Sequence, residues 1–133
     1  QGLVPLGPEL CADPRCELVL ADFFTVSTRP ELGFDGSDTN FSVDAVLLDI
    51  DHSPSHWLNP GNGDFYTVQG LKDLAAKLKP GGVFGLWSND LPDQDFVSLL
   101  ESVFTKVESH VVPFPNPYTG EASKNSVYVA QKL

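Results

Sequence analysis

The densest run of chemically capable side chains lies between Asp49 and Tyr66. It holds two carboxylates (Asp49, Asp51), two imidazoles (His52, His56), an indole (Trp57) and a phenol (Tyr66). A carboxylate near a protonated amine favours binding it, and one with a suitably tuned pKa serves as general base. Carboxylates and imidazoles are also ligands for zinc or iron. His52 and His56 are four residues apart, which places both on one face only in a helix, and Pro54 between them breaks any helix. Polar residues lining a cleft are therefore the better reading, and no metal is expected. Trp57 lies in the loop and suits a lid over a substrate, whereas Trp87 ends an apolar run and reads as core.

These groups need a scaffold. The chain alternates strand-like and helix-like segments, the pattern of α/β proteins. Glu17 to Leu20 (ELVL) reads as a short strand, with Asp22 and Phe23 just past its end. Thr25 to Ser42, containing Pro30, Gly33 and Gly36, reads as a long loop. Ala45-Val46-Leu47-Leu48, closed by Asp49, predicts a strand buried on both faces, as in a parallel sheet. After a loop with Pro54, Pro60, Gly61 and Gly63, the residues Val68, Leu71, Leu74, Ala75 and Leu78 repeat at helical spacing. Thr67 is the expected N-cap, and Pro80-Gly81-Gly82 the stop.

Val83 to Trp87 predicts another buried strand. Phe96, Leu99, Leu100, Val103 and Phe104 form one apolar helical stripe, with Asp90 and Pro92 as its start signal. Val107 to Phe114 and Ser126 to Gln131 read as strands with no helix between them, so they pair antiparallel. The expected fold class is α/β, a single domain over residues 1–133, with a mostly parallel sheet and a carboxy-terminal antiparallel hairpin. Ligands of open α/β sheets bind beyond the carboxyl ends of the parallel strands, where Asp22 and Asp49 are both expected.

Composition narrows the function. Acidic residues outnumber Lys and Arg 18 to 8, for a formal net charge of −10, which disfavours nucleic-acid binding through phosphates. The same field suits a cationic substrate such as a polyamine. No apolar stretch approaches the roughly 18 residues of a membrane span, and the first residues form no signal peptide. A cytoplasmic protein that binds neither membrane nor nucleic acid is expected. Cys11 and Cys16 match neither a zinc spacing nor a disulfide framework, which agrees with a reducing compartment. The chain lacks methionine and begins with Gln1, so an excerpt or processed piece of a longer protein is expected.

The order of elements resembles the S-adenosylmethionine-dependent methyltransferase fold from its third strand onward. Asp13-Pro14-Arg15, Leu18 to Asp22, Asp44 to Asp49, Phe65-Tyr66 ahead of a helix, Leu78 to Val83 and Asn125 to Ala130 are similar to the spermidine synthase pattern. They occur in the right order over nearly the whole chain. The resemblance implies transfer of an alkyl group from S-adenosylmethionine, or its decarboxylated form, to an amine or another small nucleophile. It also implies that Asp22 accepts a hydrogen bond from adenine, with Phe23 beside it, and that Asp49 orients or deprotonates the acceptor. Asp51, His52, Trp57 and Tyr66 fall on the substrate side.

The pattern departs in two places. Spermidine synthases carry a second aspartate three residues after the first; here Asp51 comes one place early and His52 holds that slot. The glycine-rich loop after the first strand and the ribose-binding acid after the second are not among these 133 residues. Gly61-Asn62-Gly63 and Gly81-Gly82 do not replace that loop, because neither joins a strand to a helix in the required way. Weak cofactor binding and no catalysis by this chain alone are expected, with a non-catalytic oligomerising domain as the alternative. Without the missing strands, the strands at Glu17 and Ala45 are expected to pair directly or to leave an edge that recruits a second copy as a homodimer.

Overall fold

The computed structural model describes residues 7–38 and 41–133. In chain order the elements are α1 (Gly7–Ala12), α2 (Phe23–Thr28), β1 (Val43–Leu48), a 3-10 turn (Pro60–Phe65), α3 (Val68–Ala76), β2 (Leu78–Ser88), α4 (Gln94–Glu101), β3 (Lys106–Pro115) and β4 (Ala122–Gln131). The strands form one sheet in the order β1-β2-β4-β3. β1 pairs parallel with β2, and β4 is antiparallel to both β2 and β3. β1, β2 and β3 therefore point one way and β4 alone is reversed. The fold is α/β with a mostly parallel sheet closed by an antiparallel hairpin, as its sequence predicts.

The two predicted helices form for local reasons. The Thr67 hydroxyl accepts the Gly70 N–H at 3.1 Å, which caps α3. Leu71 and Leu74, one turn in, are fully buried against the sheet. α4 is capped by Asp93, which accepts the Asp95 N–H at 2.9 Å. Asp93, not the predicted Asp90, starts the helix, so Asp90 stays in the loop beyond β2 and keeps its carboxylate for other partners.

One face of the sheet carries the core. Val46 and Leu48 of β1, Phe84 and Leu86 of β2, and Tyr128 and Ala130 of β4 pack against Leu71, Leu74, Phe96 and Leu100. The register places these inward residues opposite one another across the strands, for example Val46 beside Phe84 and Phe84 beside Ala130. The intervening residues Leu47, Gly85, Trp87, Val127 and Val129 point to the other face. There Leu47 is 82% exposed, and every helix that touches the core does so from the opposite side.

Several expectations are corrected. Glu17 to Leu20 is no strand: it carries no regular structure and pairs with no described strand, with Leu18 61% and Leu20 105% exposed. A short apolar run becomes a strand only when a neighbour satisfies its backbone, and among the described residues none does. It does not pair with β1, so β1 is a sheet edge covered on one face, not a strand buried on two. Trp87, read as core, is half-buried on the outer face.

The predicted loop from Thr25 begins as helix α2, because Phe23 and Phe24 pack edge-on to Phe65 at 5.7 and 5.5 Å. Pro80-Gly81-Gly82 is not the helix stop: α3 ends at Ala76, and Leu78, read as the last residue of its stripe, opens β2. Pro80-Gly81-Gly82 forms a bulge inside β2, where the partner of Val43 is Leu78 but that of Ala45 is already Val83. Gly81 takes φ 75° there, which a side chain disfavours.

Candidate functional site

The loops leaving the carboxyl ends of β1 and β2 meet above the parallel pair, the place where open α/β sheets bind ligands. The β1 loop turns tightly: Ser53 and His56 exchange backbone hydrogen bonds at 3.3 and 3.1 Å around Pro54-Ser55. That turn brings the His52 and His56 rings to 6.0 Å, edge to face. The Asn89 N–H, from the β2 loop, donates to the His52 carbonyl at 2.9 Å and ties the two loops together.

Asp90 is the hub. Its Oδ2 lies 3.1 Å from His56 Nδ1, and its Oδ1 lies 3.5 Å from His52 Nε2. The Ser53 hydroxyl, itself 3.0 Å from His56 Nδ1, also bonds the Asp90 carboxylate. That hydroxyl, aided by the two imidazoles, holds the Asp90 carboxyl below the usual carboxylate range. The backbone of Asp90 is fixed as well, with its N–H on Ser88 Oγ at 3.2 Å and its carbonyl accepting from Ser126. Sequence reasoning missed Asp90 as a site residue and treated it as a helix start. The signal that could have found it is its position: the second residue past an apolar strand in a parallel pair.

Asp51 does different work. It is 6% exposed, and its carboxylate accepts from the Leu58 N–H at 2.8 Å, from Asn62 Nδ2 at 2.9 Å and from the Tyr66 hydroxyl at 2.9 Å. Burial, reinforced by this carboxylate, pushes the Tyr66 phenol far above its ordinary range, so Tyr66 stays a hydrogen-bond donor. The Trp57 ring stacks on Tyr66 with centroids 6.1 Å apart, and its indole N–H donates to the Pro54 carbonyl at 2.7 Å. Asp51, Trp57 and Tyr66 thus form one unit that fixes the loop, with Trp57 42% exposed on top.

The two carboxylates given leading roles by the sequence lie in different cavities. Asp22 caps α2 through the Thr25 N–H at 3.1 Å and borders a polar cavity of about 360 Å³ together with Arg29, Asn59, Asn62 and Asp64. Phe23 turns from that cavity into an aromatic cluster, stacking on Phe34 at 6.2 Å. Asp49 borders a smaller apolar hollow of about 210 Å³ on the outer face, with Leu47, Gly85, Trp87 and Val127. Both are exposed, and no described residue occupies the Asp49 carboxylate. No group of three or more His, Cys, Asp or Glu among the described residues could hold a metal ion. No helix among them is long and apolar enough to cross a membrane.

No protein-family profile matches the sequence, and no curated protein sequence does. Solved structures do match. A probable spermidine synthase from Corynebacterium glutamicum ATCC 13032 superposes with a TM-score of 0.60 over 95% of this chain, at 18% identity. The match spans 42% of that protein's length. A protein assigned as an rRNA methylase from Clostridium thermocellum is similar over 68% of this chain and 52% of its own, at 16% identity and a TM-score of 0.36. The chain therefore shares the fold of part of the spermidine synthase neighbour.

Proposed function

We propose that this chain supplies the acceptor side of an alkyl-transfer site, of the kind that uses S-adenosylmethionine or its decarboxylated form and an amine or similar nucleophile. The observation that carries this reading is the convergence of His52, His56 and Asp90 on the loops leaving the parallel strands β1 and β2, with Asp49 directly after the end of β1. The shared fold with a probable spermidine synthase supports it. A donor of this type would place its adenine against Asp22, beside the polar cavity that Asp22 borders. The described residues fit such a donor at that end only. They include no glycine-rich strand-to-helix loop for its other end, so binding is tested before turnover.

The test is a calorimetric titration of the full chain with methylthioadenosine, with S-adenosylhomocysteine as comparator. Binding is expected to weaken on the order of tenfold in Asp22→Ala, the loss of one hydrogen bond to a charged group, and the preference between the two ligands separates aminopropyl from methyl transfer. No heat at millimolar ligand overturns the reading.

The open edge of β1 favours a second reading, an association module whose partner is a second copy of this chain. Two β1 edges paired antiparallel satisfy each other's backbone, and twofold symmetry closes the contact. Light scattering decides it: a dimer mass lost in Ala45→Pro supports association through this edge, and a monomer mass at every concentration removes it.

A further inference from the structure

A carboxylate has no proton to give near neutral pH, so the His56 nitrogen that faces Asp90 Oδ2 at 3.1 Å must carry one. The Ser53 hydroxyl does not compete for that role, because it donates to Asp90 as well. Neutral His56 is thereby held with its proton on Nδ1 and its lone pair on Nε2. Every hydrogen bond of the ring falls on Nδ1, leaving Nε2 without a partner among the described residues, on a ring whose side chain is 69% exposed. His52 differs: its Nδ1 faces the Asn89 amide at 3.3 Å and its Nε2 faces Asp90. Only one of the two imidazoles can therefore present a base.

We infer that His56 is the proton acceptor for an amine on the acceptor side, with Asp90 as the residue that positions it; its part in catalysis rests on the transferase reading above. An ammonium group donates one N–H to His56 Nε2. The N–H bond breaks and a new Nε2–H bond forms, leaving the electron pair on the amine nitrogen, ready to attack an alkyl donor. The imidazolium that results is balanced by the Asp90 carboxylate. An imidazole suits this step better than a carboxylate, because its basicity lies closer to the working pH. The chemistry also matches the departure seen in the sequence, where His52 stands in the slot of a second aspartate and the loop brings imidazoles to the strand ends.

The experiment is ring-nitrogen NMR on the full chain labelled with 15N-histidine. His52, His56 and His110 are the three histidines, so single His→Gln variants assign every signal. In wild type, neutral His56 is expected to carry its proton on Nδ1. Spermidine, the probe, is expected to move the His56 Nε2 signal saturably while leaving His110 in place. Asp90→Asn keeps the shape of the side chain but is expected to reverse the tautomer and to weaken the spermidine response on the order of tenfold. A wild-type His56 protonated on Nε2 overturns the proposal, as does an Asp90→Asn variant with unchanged tautomer and response, or equal movement of His110. Methylthioadenosine that fails to bind while His56 behaves as stated removes the transferase reading and leaves the dyad standing.

Discussion

The two faces of the sheet differ more than any other two parts of the molecule. On the inner face Phe84, Tyr128 and Ala130 are fully buried; on the outer face Leu47, next to Gly85 across the strand pair, is 82% exposed. Both faces are apolar along β1, β2 and β4. Burial here is decided by what the helices cover, and all of those that reach the sheet lie on one side. The functional loops belong to neither face, since they rise from the strand ends and are held by their own hydrogen bonds.

The contrast can be broken or sharpened by mutation. Phe84→Ala, at the centre of the inner face, is expected to cost about 3–5 kcal/mol in denaturant unfolding. A loss below 1 kcal/mol would mean that the inner core is loosely packed. Gly70→Ala comes next: a Cβ there would sit 2.5 Å from the carbonyl oxygens of Asp64 and Phe65. The expected cost is about 1–3 kcal/mol, measured the same way, as α3 moves off the site loop. Thr67→Ala removes the cap of the same helix without a clash and is expected to cost about 1 kcal/mol.

Alkaline unfolding tests the inner face differently. Burial raises the Tyr66 and Tyr128 phenols above their ordinary range. A group whose folded pKa is raised contributes stability below its unfolded value and loses it as pH climbs through the folded one. Stability is therefore expected to fall above about pH 10, less steeply in Tyr128→Phe. The smallest effect is Leu47→Ala on the outer face, expected within about 0.5 kcal/mol. A loss near that of Phe84→Ala would show that something covers this face in solution.

Much of the scaffold was legible because its causes are local. α3 follows from apolar spacing and the Thr67 cap, and β3 and β4 from two apolar runs too close for a helix between them. The larger failures are questions of neighbours. Glu17 to Leu20 has the composition of a strand but no adjacent strand to bond. Ala45 to Leu48 reads as buried on both faces because sequence does not say which face a helix covers. At the site, Asp49, Asp51, His52, Trp57 and Tyr66 were legible as one loop, yet their division of labour was not. Asp51 differs from Asp49 only in the groups folded around it. Asp90 reaches His56 across 34 residues of chain, a distance no local pattern spans.

The place of β4 constrains how the molecule assembles. It comes last of the four described strands in sequence, yet it lies between β2 and β3, and all ten of its residues pair with β3. Until Ala122 to Gln131 leave the ribosome, β3 has no strand to bond and β2 has an open side. These four strands are thus joined from the middle, after the other three have formed in sequence. A strand that closes a sheet through contacts distant in sequence makes folding slow, and its arrival is the natural cooperative step. Any change that delays β4 leaves an unsatisfied central gap, which a neighbouring nascent chain can fill.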